Sequence, residues 1–329
     1  MSGGPSGGTP PELLTVRVVS RAPVASGVCA LTLAALDGAP LPAFTAGAHV
    51  DVHLPGGLVR QYSICSDPGE RHRYVLGVAL AEDSRGGSRA VHDQVREGEI
   101  LRIGAPRNLF ALADGAGRQI LIAGGIGITP LLAMARQLVR EGRDFELHYA
   151  ARSAERMAFR DEIAQGMLSR RTRFYLSEGE GSGRLDVEAV LAGRGTGDRL
   201  YVCGPRRLID AVLEAAPRHG WPAEAVHHES FTGAVPAQGE DRAFEIELAS
   251  SGRVIPVRAD ETAAQALIAQ GVPLMTSCEQ GVCGTCLTPV LAGEPDHRDS
   301  YLTPEERAAN DQFTPCCSRA RSARLVIDL

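Results

Sequence analysis

The sequence predicts a multidomain chain: an antiparallel β-barrel, an α/β domain with a parallel sheet, and a small α+β domain built around a cysteine loop. Three observations carry this. Short β-branched runs separated by Pro and Gly fill residues 12–112, the spacing of a barrel or sandwich. Strand-like and helix-like runs then alternate through 113–232, the rhythm of a parallel sheet. Near the C-terminus, Cys278, Cys283, Cys286 and Cys316 read C-x4-C-x2-C, then 29 residues, then a fourth Cys.

Residues 1–11 form a Gly/Pro/Ser tail without the apolar segment of a signal peptide. Barrel strands are expected at 14–19, 27–34, 48–54, 58–63, 74–80 and 100–103, with turns such as Leu54-Pro55-Gly56-Gly57 and one helix starting near Ser88. In the α/β region, strands at 119–123, 145–150, 173–177 and 199–203 alternate with helices at 130–141, 157–167, 186–191 and 207–216. A ligand of such a sheet belongs at the carboxyl ends of its strands. Residues 233–241 read as a linker. The last domain, 242–329, opens with a hairpin (244–248 and 254–257). A helix at 262–270, the cysteine loop and a final strand at 324–329 follow.

With 329 residues and a hydrophobic fraction of 44%, two or three globular domains are expected. A net charge of −6 removes the electrostatic case for nucleic-acid binding. Outside the cysteine motif, Cys29, Cys65, Cys203 and Cys317 are scattered, with no disulfide framework, which suits a reducing compartment. No run is long and apolar enough for a bilayer, so a cytoplasmic protein without a membrane partner is expected.

The cysteine spacing is the plant-type pattern for four thiolates on a [2Fe–2S] cluster. Gly281 and Gly284 let that loop turn tightly and bring N–H groups near sulfur. Cys316 and Cys317 both suit the fourth position, and the spacing favours Cys316. Zinc sites usually show paired C-x2-C units, and only one is present. Upstream, Ile120-Leu121-Ile122-Ala123-Gly124-Gly125-Ile126-Gly127-Ile128-Thr129-Pro130 reads as strand, glycine turn and helix start, with Thr129 as N-cap and Pro130 at the first helical position. This suits an anion, although the glycines depart from G-x-G-x-x-G and a plain βα turn would look the same. Cys203-Gly204-Pro205 ends another strand of that sheet, where Cys203 is either a ligand neighbour or a buried strand-end cysteine. Arg60-Gln61-Tyr62-Ser63 offers a cation, an aromatic face and a hydroxyl at a strand end. Arg85-Gly86-Gly87-Ser88 at a helix start suits a phosphate or simply a capped turn.

Taken together with Pro106–Phe110 (Pro-Arg-Asn-Leu-Phe) and Glu229-Ser230-Phe231, these pieces resemble the phthalate dioxygenase reductase family, which includes vanillate O-demethylase reductases, within the ferredoxin–NADP reductase superfamily. They cover about residues 12–329 in the family's order. The resemblance implies an FMN-binding barrel, an NAD domain and a β-grasp ferredoxin domain. It places Arg60, Tyr62 and Ser63 on the flavin, Ser63 near its reactive edge, and Arg85, Gly86, Gly87 and Ser88 on its phosphate. Gly125, Gly127 and Thr129 would face the NAD pyrophosphate and ribose. Cys203, Gly204 and Pro205 would border the nicotinamide, and Phe231 would cover the isoalloxazine.

The implied activity is a relay: a hydride from NADH to the flavin, then single electrons through the cluster to a Rieske-type oxygenase. That oxygenase would be an aromatic-ring dioxygenase, an O-demethylase or an amine monooxygenase. Transfer is downhill from a plant-type centre at about −400 mV to a Rieske centre at roughly −150 to +300 mV. A haem-thiolate monooxygenase partner, a diaphorase activity and a cluster-based redox sensor are the competing readings. The chain is expected to be a monomer. Arg152 and Ser153, after the strand at 145–150, offer a way to accept a 2′-phosphate, so NADH over NADPH rests on the resemblance. The run Ser318-Arg319-Ala320-Arg321-Ser322-Ala323-Arg324 would either dock an acidic partner or form a solvated face.

Overall fold

A computed structural model describes residues 13–81, 86–115, 117–179, 183–231, 241–276, 281, 284–299 and 301–329. Arg85, Cys278 and Cys283 lie outside the described residues. The chain divides into two compact units between Glu229 and Ser230, and the first holds both the barrel and the parallel sheet.

The barrel comprises β1 (Leu13–Ala25), β2 (Val28–Ala35), β3 (His49–His53), β4 (Val59–Ser63), β5 (Tyr74–Ala79), helix α1 (Gly87–Asp93) and β6 (Ile100–Gly104). Its strands run in the order β4-β3-β6-β1-β2-β5, every pair antiparallel. Beyond β4 the chain reaches the opposite edge: Ile64 bridges Leu76, and the Cys65 N–H donates to the Val75 carbonyl at 2.8 Å. The sheet therefore closes on itself and buries its edges. Alternation drives the packing. Val16 and Val18 of β1 point inward between exposed Thr15, Arg17 and Val19, and meet Leu31, Leu33, Val50, Val52, Leu76 and Ile103 in the core.

The parallel sheet follows with β7 (Gln119–Gly124), α2 (Ile128–Glu141), β8 (Phe145–Ala151), α3 (Arg160–Gln165), β9 (Thr172–Leu176), α4 (Val187–Leu191), β10 (Arg199–Cys203), α5 (Arg206–Arg218) and β11 (Val226–Glu229). The order is β11-β10-β7-β8-β9, all parallel. β7 is buried on both faces, which its near-continuous apolar run requires. The chain leaves β7 toward β8 and β9, then crosses back to β10 and β11. The reversal between β7 and β10 is the switch point where such sheets hold ligands.

Two local expectations need correction. α2 starts at Ile128 behind Gly127, and Thr129 is not its cap: the Thr129 hydroxyl donates to the Ile126 carbonyl at 3.0 Å. Pro130 is the third helical residue, still among the N–H groups that need no helical partner. The strand β11 is additional to the four strands expected, because Val226-His227-His228-Glu229 has no apolar run and becomes a strand only by pairing with β10.

The second unit contains β12 (Phe244–Leu248), β13 (Val254–Val257), α6 (Ala263–Ala269), β14 (Thr288–Ala292), β15 (Pro295–Asp296), α7 (Pro304–Ala309), β16 (Gln312–Phe313), β17 (Arg319–Ala320) and β18 (Arg324–Ile327). Five strands form a mixed sheet, β13-β12-β18-β14-β16, with β12 and β18 parallel. The apolar face of α6 (Ala263, Ala266, Leu267) packs on Phe244, Ile246, Val290, Phe313, Leu325 and Ile327. A capping box between Thr262 and Gln265 starts that helix. Among the described residues, no helix is long and apolar enough to cross a membrane.

Candidate functional site

At the switch point, backbone meets backbone. A Cβ added to Gly127 would sit 2.2 Å from the Cys203 carbonyl oxygen and 2.7 Å from the Gly204 nitrogen. One added to Gly204 would lie 2.9 Å from the Gly124 Cα, and one on Gly124 would lie 2.7 Å from Pro205 Cδ. Gly125 takes φ +55°, with open space where a side chain would be. The turn after β7 and the Cys203-Gly204-Pro205 end of β10 are thus brought together as bare backbone, at the start of a 14-residue helix. Such a surface lets a phosphate approach N–H groups that side chains would otherwise cover. Thr129 is buried, and its methyl packs on Gly77 of β5, 2.6 Å from where a Cβ would stand.

In the barrel, β4 pairs with β3 in the register Val52–Arg60, Val50–Tyr62 and His49–Ser63. Ser63 is buried, and Tyr62 packs partly against the core, where burial pushes its phenol up. Gly86 takes φ +90° at the start of α1. A Cβ on Gly87 would meet Arg60 Cγ at 2.4 Å and Nε at 2.8 Å, so the Arg60 side chain lies directly on the helix start. The Ser88 hydroxyl accepts from the Ala81 N–H at 3.1 Å. The structure therefore brings Arg60, Gly86, Gly87 and Ser88 to one place, a cation beside glycine N–H groups that a phosphate could use.

Cys203 is fully buried, and burial, then the nearby Glu229 carboxylate, raises its thiol well above the ordinary value. Glu229 pairs with Cys203 in the β10–β11 register. Its Oε2 is sealed from solvent without a hydrogen-bond partner, and burial pushes the carboxyl up to about 8. The residue belongs to the Glu-Ser-Phe piece, but nothing local marks it as a half-buried acid with a raised pKa. Phe231 is half-buried and lies in the second unit.

In the second unit, Cys286 and Cys316 are buried in one cluster with Ala264. Cys317 packs partly against the same cluster, with its sulfur 3.2 Å from the Thr314 hydroxyl and 2.4 Å from where a Gly281 Cβ would be. Gly281 and Gly284 take φ of +74° and +69°, and the Tyr301 ring occupies the space beside Gly284. The arginine run is not one uniform face: Arg319 is buried, whereas Arg321 and Arg324 are exposed and ion-paired. Arg319 is 5% exposed and donates to the carbonyls of Glu261, Arg242 and Arg258 at 2.6, 3.0 and 2.9 Å. Arg321 pairs with Glu294, and Arg324 with Glu245 and Glu247.

Residues 246–321 match the 2Fe-2S iron-sulfur cluster binding domain, and residues 105–226 match the N-terminal domain of dimethylamine monooxygenase subunit DmmA-like proteins. The chain is 49% identical to the vanillate O-demethylase oxidoreductase of Pseudomonas sp. (strain HR199 / DSM 7063), over 93% of this chain and 96% of that one. The solved structure of phthalate dioxygenase reductase, described as modular for electron transfer from pyridine nucleotides to [2Fe–2S], matches with a TM-score of 0.79 and 38% identity, over 96% and 98% of the two chains. The chain belongs to the phthalate dioxygenase reductase family. A third match is an intact type IV self-sufficient cytochrome P450 monooxygenase, at 41% identity and a TM-score of 0.78, which covers 96% of this chain and 41% of that one. Like its family, this phthalate dioxygenase reductase relative is an NAD(P)H-dependent oxidoreductase with FMN, NADH and [2Fe–2S] as its cofactors, an electron-transfer reductase for oxygenase systems. The residues fit that set. Arg60 lies on the α1 glycines, bare backbone lines the β7/β10 edge, and Cys286 packs with Cys316.

Proposed function

We propose that this reductase takes a hydride from NADH at the β7/β10 edge and passes single electrons through its cluster to a Rieske-type oxygenase: an aromatic-ring dioxygenase, an O-demethylase or an amine monooxygenase. The contact of Gly127 with the Cys203–Gly204 backbone carries the reading, because it opens the carboxyl edge at the switch point to a dinucleotide. FMN, when bound, takes two electrons together and gives them up singly.

The chain's own residues bind, orient and seal. Arg60, with Arg85, Gly86, Gly87 and Ser88, holds the flavin phosphate. Tyr62 lies along the ring and Ser63 donates near its reactive edge. Gly125, Gly127 and Thr129 line the path of the pyrophosphate and ribose. Thr129 acts there through the shape it gives the turn, since its hydroxyl is committed to Ile126. Cys203, Gly204 and Pro205 border the nicotinamide, with the half-buried Glu229 beside Cys203 on the next strand. Phe231 covers the ring until nicotinamide takes its place. Cys278, Cys283, Cys286 and Cys316 hold the cluster. On this reading, residues 12–112 serve FMN, 113–232 NAD and 242–329 the cluster.

The identity with a vanillate O-demethylase oxidoreductase favours an oxygenase of the O-demethylase kind. The likeness to a cytochrome P450 monooxygenase keeps a haem-thiolate partner as the second reading. Reconstitution decides between them. Purified chain and NADH are mixed anaerobically with a Rieske oxygenase or with a haem-thiolate monooxygenase. Rapid reduction of the Rieske centre is expected, and reduction of the haem protein alone would overturn the assignment.

A further inference from the structure

We infer that Arg136 is a positioning residue for hydride transfer, holding the exit of the flavin strand against the nucleotide helix. The inference rests on the reading of the site given above. α2 begins at the switch point and is seated along the barrel. Thr129 packs on Gly77, the Met134 Cε lies 3.1 Å from where a Gly47 Cβ would be, and the Gln137 Oε1 accepts from the Ala46 N–H at 3.3 Å. Midway along, Arg136 donates one arm of its guanidinium to the Cys65 carbonyl and pairs the other with Glu162 of α3.

Cys65 stands two residues beyond Ser63 and is fully buried. Its N–H and its thiol both donate to the Val75 carbonyl, at 2.8 and 3.2 Å. The exit of β4 is therefore pinned on one side by β5 and on the other by α2. In α2 the same rigid helix carries Gly127 at its start and Arg136 two turns on. A slip of α2 along the barrel changes the separation between the edge held by Ser63 and the nucleotide, whose pyrophosphate path Gly127 lines and whose nicotinamide Cys203 borders. Hydride transfer is sensitive to such slips: a misplacement of about 1 Å can cost about 100-fold. Arg140 also reaches the barrel, at Asp67, but both side chains are well exposed, and such pairs hold little. It is the natural control.

The experiment is anaerobic stopped-flow reduction of the flavin-loaded full chain by NADH and by NADH deuterated at C4, with Arg136→Ala, Arg136→Lys and Arg140→Ala. Arg136→Ala should lower the limiting rate of flavin reduction about tenfold or more. Flavin occupancy and apparent NADH affinity should stay within about threefold, with a full deuterium isotope effect and a weakened charge-transfer band between reduced flavin and NAD+. Arg136→Lys keeps one donor for the Cys65 carbonyl but loses the fork, and should run about threefold below wild type. Arg140→Ala should match wild type. An Arg136→Ala rate within about twofold of wild type, or one that falls only in proportion to lost flavin, overturns the inference. Should that variant not fold, a lysine variant at the full wild-type rate overturns it. Wild-type protein that does not reduce its flavin with NADH would remove the reading of the site and this inference together, whereas an unaffected Arg136→Ala in an active wild type removes the inference alone.

Discussion

At the carboxyl edge of β7 and β10, Gly124, Gly127 and Gly204 press backbone on backbone, with no side chain between them. In the second unit, buried side chains hold the chain instead. Arg319 gathers three carbonyls, and the Asp299 carboxylate accepts from the Tyr301 and Leu302 N–H groups at 3.1 and 2.7 Å. The first construction tolerates no added atom and the second no removed one. A surface open to a phosphate presents bare N–H groups, whereas a small sheet with short strands needs buried side chains to gather its loose carbonyls.

The largest expected effect is therefore at Gly127. Gly127→Ala places a methyl on the Cys203 carbonyl, and backbone cannot yield as a side-chain tip can. NADH-driven flavin reduction should fall about 100-fold and the first unit should lose about 3 kcal/mol, read by stopped-flow and by denaturant melts. Normal kinetics would show that the two turns can part.

Arg319→Met removes donors from three carbonyls in a buried place. It should cost the second unit about 3 kcal/mol and speed cluster loss, while flavin reduction by NADH is unchanged. Equal melting of both variants' units would erase the contrast between the two constructions.

Glu229 sharpens the comparison at the nucleotide edge, where one oxygen of a half-buried carboxyl is sealed without a hydrogen-bond partner among the described residues. With its carboxyl held up at about 8, the folded chain keeps a proton that the unfolded chain releases above about 4.5. This contribution to stability is complete below about 4.5 and is lost as pH rises through about 8. Wild type should therefore lose stability relative to Glu229→Gln between pH 5 and 8, measured as the difference in melting temperature. A constant difference would contradict this placement of the acid.

The smallest effect is expected at Arg321, whose pair with Glu294 is exposed on both sides. Arg321→Ala should change stability by less than about 1 kcal/mol and leave the rate of oxygenase reduction within about twofold. A large loss of partner reduction would restore the basic run as a docking strip.

Much of this was legible in the residues. The apolar run before Gly124 identifies a central parallel strand, and the C-x4-C-x2-C loop identifies its own chemistry. Local pattern carries that information, because burial on both faces and thiolate spacing are properties of a single segment. What escaped depends on partners distant in sequence. β11 has a polar sequence and exists through β10, and one Glu229 oxygen is sealed by that placement. Arg319 looks like a surface cation until residues about 60 to 80 positions away offer their carbonyls. Thr129 has the chemistry of a cap, yet Gly127 takes that position because the turn is too close to β10 for any side chain there.

Whether reducing equivalents enter at the β7/β10 edge and leave through sulfur-bound iron is decided by anaerobic NADH reduction of wild type and Cys286→Ser, followed at the flavin absorbance and by low-temperature EPR. Flavin bleaching is expected in both proteins, a [2Fe–2S] signal in the wild type alone, and electron delivery to an oxygenase only where that signal forms. An oxygenase reduced at the wild-type rate by the Cys286→Ser chain would contradict that route.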